Sequence, residues 1–125
     1  MKKSEHKIQD EIRLAVSKLP GIILRTNAGS VYAGERVWSN YYQEYILKRP
    51  RSVRLLPEGF PDLIHLSPDG KLSFIEVKTA TGRTSEKQKR FMSLMREYGF
   101  RCCVARSAEE AVSFINERSC LDAKN

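Results

Sequence analysis

The sequence predicts an α/β domain, and three observations carry that expectation. A chain of 125 residues that is 41% hydrophobic and 30% charged has the size and composition of one globular core. Segments with helical spacing of apolar residues alternate with short β-branched runs. In the second half, Ser67-Pro68-Asp69-Gly70-Lys71 joins two apolar runs through a strong hairpin turn. Residues 1–125 are therefore expected to form a single stand-alone domain.

Ser4 to Leu19 is the first helix. Ser4 caps it, Glu5 puts an acid in the first turn where the dipole favours one, and Ile8, Ile12, Ala15, Val16 and Leu19 form one apolar stripe. Pro20-Gly21 ends it, and Ile22 to Thr26 is a short strand that stops at Asn27-Ala28-Gly29. From Ser30 to Gly59 the residues Tyr32, Trp38, Tyr41, Tyr42, Tyr45 and Leu47 recur without a sustained period. A structureless loop of that length is unusual, so extended or hairpin structure is expected there. The segment carries Arg36, Lys48, Arg49, Arg51 and Arg54 against Glu35 and Glu44.

Strands are expected at Pro61 to Leu66 and at Leu72 to Lys78. A helix from Ser85 to Tyr98 buries Phe91, Met92, Leu94, Met95 and Tyr98, with Gly99 closing it. Phe100 to Ala105 is the last strand. Ser107 to Asn116 is the closing helix, capped by Ser107, with Ala111, Val112, Phe114 and Ile115 available for packing.

The 22 Lys and Arg against 15 Asp and Glu give +7 at pH 7, a surface that suits a polyanion. No apolar run approaches the ~20 residues of a membrane helix, and the charged start is unlike a secretory signal, so a cytoplasmic protein without a membrane partner is expected. Cys102 and Cys103 are adjacent and Cys120 stands apart, with no C-x-x-C pair, so all three read as reduced thiols. Gly29 to Gly34 has the glycine spacing of a P-loop, but Glu35-Arg36 follows where Lys and Ser or Thr are required. His6 has no partner at metal-ligand spacing, and His65 falls on the strand face opposite Asp62.

The chemistry-bearing residues are Pro61-Asp62 and Glu76-Val77-Lys78. Pro68 presets the first central position of a type I turn, Asp69 suits the second, and Gly70 supplies the left-handed residue of a three-residue hairpin loop. That loop pairs Ser67 with Lys71. Counting back along both strands puts Asp62 opposite Glu76 on one face, with Cβ atoms about 4.5 to 5.5 Å apart, and Lys78 joins that face by period two. A slip of one residue would pair Asp62 with Ile75 and separate the carboxylates. Two carboxylates this close repel unless a cation lies between them, and Mg²⁺ is a hard ion that takes such oxygens. A lysine beside it can orient an attacking water or stabilise developing charge, as metal-assisted phosphodiester hydrolysis requires. Spacing alone equally suits a solvated sheet face with one like-charge pair and one ion pair.

Gly59-Phe60-Pro61-Asp62-Leu63 and Phe74-Ile75-Glu76-Val77-Lys78, with Gly82 and Gln88 before Gly99, resemble the VRR-NUC (virus-type replication-repair nuclease) branch of the PD-(D/E)xK nuclease superfamily. The likeness takes in Ser4-Glu5 with Ile8-Gln9 and Arg25-Thr26-Asn27-Ala28-Gly29, and leaves out about Val31 to Pro57. It implies a restriction-endonuclease-like PD-(D/E)xK core, a central mixed β-sheet flanked by α-helices. It further implies Mg²⁺ or Mn²⁺ on Asp62, Glu76, the Val77 carbonyl and, often through water, Glu5, with Lys78 beside the nucleophilic water. Asp10 lies off the inward stripe that places Glu5, and Glu11 is a rival position.

By the same resemblance Gln88 is a catalytic-site residue, although Ser85-Glu86-Lys87-Gln88 is itself a capping box; both roles can hold together. Arg25, Asn27, Arg36 and Lys87 are the candidate nucleic-acid contacts. The Val31 to Pro57 segment has the Arg and Tyr content that suits phosphates and base stacking, and core packing explains the Tyr residues as well.

The expected function is that of a metal-dependent, structure-selective DNA endonuclease. A small domain has little surface to span two strands, which favours a homodimer on a four-way junction, and free-standing members of the family look like Holliday-junction resolvases. The resemblance also points to a helicase or repair partner and to the cytoplasm of a bacterial or phage-infected cell. A flap, single-strand or restriction-like nuclease and a non-catalytic basic DNA-binding module are the alternatives.

Overall fold

The computed structural model describes residues 2–27 and 29–117, so Cys120 lies outside the described residues. Among these, the chain runs α1 (Glu5–Ser17), β1 (Ile22–Arg25), β2 (Ser30–Ser39), β3 (Glu44–Arg54), β4 (Leu63–Leu66), β5 (Leu72–Val77), α2 (Glu86–Glu97), β6 (Arg101–Ala105) and α3 (Ala108–Asn116). The expected order holds throughout. No described helix is long and apolar enough to cross a membrane.

A four-stranded mixed sheet has the order β1-β4-β5-β6, with β4 antiparallel to both β1 and β5, and β5 parallel to β6. The turn chemistry sets its register. Ser67 N–H donates to Lys71 O at 2.9 Å, Gly70 sits at φ +83, and Leu63 pairs with Ile75 and His65 with Ser73. That is the pairing counted back from the turn.

Period two then divides the sheet between two layers. Leu63, Ile75, Val77 and Ala105 meet Ile8, Ile12 and Val16 of α1 and Ala111 and Ile115 of α3 in one buried cluster. Phe74 faces the other way, against Phe60 and Phe91 of α2, with ring centroids 5.7 and 5.8 Å away. Each helix starts where the sequence places a cap: Ser4 accepts from Lys7 N–H, Ser85 from Gln88 and Ser107 from Glu110.

Several boundaries differ from expectation. The first helix stops at Ser17, with Leu19 still packed on the core, and β4 begins at Leu63 because Pro61 has no N–H for a ladder. On α2, Met92 is buried, but Leu94 and Tyr98 are exposed. Among the described residues that side of the helix is left in solvent, so its buried apolar stripe is narrower than the spacing suggests. Cys102 and Cys103 are free half-buried strand residues, and burial pushes the Cys103 thiol up to about 12. His65 is buried with Nε2 3.2 Å from Pro20 O.

The segment after β1 is a hairpin, as expected, but one that forms its own two-stranded sheet. A bulge interrupts its register between Ala33 and Glu35, where Arg49 takes φ +51.

Candidate active site

Asp62 enters the site from the turn before β4. Gly59 makes that turn possible at φ +90, since a Cβ there would lie 2.7 Å from Lys87 O. Thr26 then pins the segment: its N–H donates to Asp62 O at 3.0 Å and its hydroxyl to Pro61 O at 2.5 Å. Across the strand pair, Val77 N–H donates to Asp62 Oδ2 at 2.8 Å. The Asp62 carboxylate is thus fixed beside Glu76.

Glu76 is 1% exposed, on the α2 side of the sheet. Gln88 Nε2 donates to Glu76 Oε1 at 2.9 Å, and Lys78 Nζ stands 3.9 Å from the same oxygen. Burial raises the Glu76 pKa to about 9; the adjoining Asp62 carboxyl adds to the rise, as does the Glu5 charge, while Lys78 opposes it. Glu76 Oε2 is buried and has no hydrogen-bond partner among the described residues.

That orphaned oxygen is the test of fit for a metal. A buried carboxylate atom without a donor costs free energy unless a proton or a cation meets it. Two carboxylates side by side, with a main-chain carbonyl next to them at Val77, form a hard oxygen donor set of the kind Mg²⁺ or Mn²⁺ takes. The described residues contain no cluster of three or more His, Cys, Asp or Glu placed to hold a metal ion. Mg²⁺ commonly keeps water and phosphate oxygens in such positions.

The other residues singled out from sequence are placed as follows. Glu5 is exposed in the first turn of α1, close enough for its charge to act on Glu76. Asp10 and Glu11 face His6 at 3.5 Å and Lys3 at 2.9 Å. Gln88 forms the expected capping box, its Oε1 accepting from Ser85 N–H at 2.8 Å, while its Nε2 reaches Glu76. Arg25 and Asn27 are exposed at the end of β1, and Asn27 takes the left-handed conformation at φ +50. Arg36 lies out on the hairpin, and Lys87 is engaged by Glu58 at 2.5 Å.

Two positioning residues were not assigned from sequence. Thr26 is one, and nothing in a lone threonine after a strand marks it as the anchor of a turn 35 residues away. Arg106 is the other: its Nη1 donates to Thr79 O at 2.6 Å and Gly82 O at 2.7 Å, fixing the loop that follows Lys78. The same loop, with Lys2, Lys3, Ile8 and Arg106, lines a cavity of about 350 Å³.

The family model described as the VRR-NUC domain matches residues 4–109. A solved structure described as a VRR_NUC domain superposes with a TM-score of 0.58 at 18% identity, covering 90% of this chain and 94% of that one. At that identity the likeness is one of fold, and the fold is the mixed sheet with flanking helices described above. No curated protein matches the chain.

Proposed function

Because the chain belongs to the VRR-NUC domain family, whose members are nucleases acting on DNA, we propose that it is a metal-dependent, structure-selective endodeoxyribonuclease. In this reading it works as a homodimer on four-way junctions. The observation that carries the catalytic part is the meeting of Asp62, Glu76 and Lys78 on one sheet face, with Glu76 Oε2 buried and unpartnered.

Asp62, Glu76 and the Val77 carbonyl would hold Mg²⁺ or Mn²⁺, with Glu5 contributing from the end of α1. The bound cation would supply charge neutralisation at the scissile phosphate and lower the pKa of a coordinated water. The protein's own groups do the rest. Val77 N–H holds one Asp62 oxygen and Gln88 Nε2 holds one Glu76 oxygen, so each carboxylate presents its second oxygen in a fixed direction. Lys78 is oriented by Glu76 so that its ammonium can direct the attacking water and balance negative charge developing on the phosphoryl oxygens. The water oxygen bonds to phosphorus as the bond to the leaving oxygen breaks, and that oxygen takes up a proton. Arg25, Asn27, Arg36 and Lys87 are assigned to the DNA; Lys87 would exchange Glu58 for a phosphate.

The substrate preference is tested with a labelled four-way junction beside linear duplex and single strand. Paired symmetric cuts confined to the junction are expected. Equal cutting of all three would replace the resolvase reading with that of a general nuclease. Light scattering that finds a single subunit while junction cleavage is intact would remove the homodimer.

A further inference from the structure

The β2–β3 hairpin has no structural task that accounts for its surface. Among the described residues its strands pack on one another and not on the helices or the main sheet to any extent. It is tied to the body at its root, where Leu55 N–H donates to Gly29 O at 2.9 Å and Gly29 N–H to Leu56 O at 3.2 Å. Ten residues of β2 give an arm roughly 30 Å long. Its root adjoins the candidate site, because Thr26, which precedes it, holds Pro61 and Asp62.

Pairing sorts the two faces of the arm. Val31, Val37, Ile46 and Val53 share one face, and Tyr32, Arg36, Trp38, Tyr45 and Arg54 share the other. On that second face Arg36 lies 3.8 Å over the Tyr45 ring, and Trp38 meets Tyr45 edge-on at 5.2 Å. The Trp38 indole N–H is already satisfied by Asn40 Oδ1 at 3.1 Å, yet half of the residue remains exposed. Tyr41 and Tyr42 stand at the tip, 87% and 62% exposed. Aromatic rings held at fixed orientation, left in water, beside guanidinium groups are the components of a base-stacking platform.

We infer that this arm is a stacking surface for the exposed base faces of single-stranded DNA and of an opened branch point, and that it favours such structures over the interior of a duplex. The interior of a duplex offers no free base faces, whereas a single strand does, and a four-way junction opened at its crossover exposes the faces of the base pairs that border it. The charge of the arm, with Arg36, Lys48, Arg49, Arg51 and Arg54 against Glu35 and Glu44, complements a polyanion and opposes a second copy of itself. The inference rests on the nuclease reading for its biological sense, but its test does not.

Trp38 is the chain's single tryptophan, so its emission reports on the arm alone. The wild-type protein in EDTA, where nothing is cut, is titrated with a single-stranded oligonucleotide, a four-way junction and a blunt duplex, reading emission and DNA anisotropy together. Quenching is expected with the first two and not with the duplex. Trp38→Ala and Tyr45→Ala should each weaken junction binding about tenfold while duplex binding is unchanged, and Trp38→Phe should restore it. Junction binding with unchanged Trp38 emission and no loss in Trp38→Ala overturns the proposal. So does emission that shifts with protein concentration in the absence of DNA, which would put a second copy on the arm. Absent metal-dependent cutting with the Trp38 signal intact refutes the nuclease reading alone, and intact cutting with a silent Trp38 refutes the arm alone.

Discussion

With a pKa of about 9 against an ordinary 4.5, Glu76 holds a proton in the metal-free native protein at neutral pH. Between those two values the native state binds more protons than the unfolded chain. The stability of the metal-free protein therefore falls as pH rises through this window, by at most about 1.4 kcal/mol per unit, and is fully retained below 4.5. A cation that displaces the proton reverses the trend. The rise in melting temperature produced by Mg²⁺ should thus grow with pH across this range. Glu76→Gln, which removes the charge and keeps the shape, should make the metal-free protein more stable at mildly alkaline pH, by on the order of 2 kcal/mol, and abolish the Mg²⁺ effect. Thermal melts of both proteins with Mg²⁺ and with EDTA check this. A Mg²⁺ shift that persists in Glu76→Gln would place the metal elsewhere. The juxtaposition of Asp62, Glu76 and Lys78 was legible from the hairpin turn, because a three-residue loop sets the register, whereas reading it as a site took the family resemblance. The elevated Glu76 pKa was not legible, because it comes from burial and from the adjoining Asp62 carboxyl, a tertiary fact without a local sequence mark.

The capping box at the start of α2 links helix formation to the site. Ser85→Ala and Gln88→Ala each break the box and should each cost about 1 kcal/mol in denaturant unfolding. Only Gln88→Ala also removes the donor to Glu76 Oε1, so only it should lower cleavage. Equal cleavage by the two variants would reduce Gln88 to a cap. The turn before β4 is held as tightly: Gly59→Ala has to place a Cβ 2.7 Å from Lys87 O at φ +90, and should lose about 2 kcal/mol of stability together with the setting of Asp62. Elements with strong punctuation were read correctly from sequence, since Ser4, Ser85 and Ser107 mark helix starts by a chemistry that does not depend on the rest of the fold. The hairpin from Ser30 to Arg54 was only outlined. Its bulge at Arg49 and Pro50 shifts the pairing by one residue midway, which breaks any single period along β3, and its aromatic face is exposed, so the usual equation of aromatic with core fails there.

As a molecule the protein has two parts: a sheet-and-helix body that holds Asp62, Glu76 and Lys78, and an arm that leaves the body between Gly29 and Leu55, two residues hydrogen-bonded to each other. Replacing residues 30–54 by a short Gly-Ser linker should therefore leave a folded body, with the same helical circular dichroism and metal-dependent cutting of DNA at reduced affinity. Preference for the junction should be lost. The family resemblance read from sequence rests on residues of the body and leaves out about Val31 to Pro57, whereas the family model runs through that segment, from residue 4 to residue 109. The central claim is that Asp62, Glu76 and Lys78 form a metal-dependent hydrolytic centre, and it is met most directly by cleavage of labelled DNA in Mg²⁺, Mn²⁺ and EDTA by wild type and Lys78→Ala. Cutting in either metal, none in EDTA, and a loss of about 10²- to 10³-fold in Lys78→Ala with DNA binding unchanged is the expected result. DNA that is bound but uncut in both metals, or cut equally well by Lys78→Ala, would contradict it.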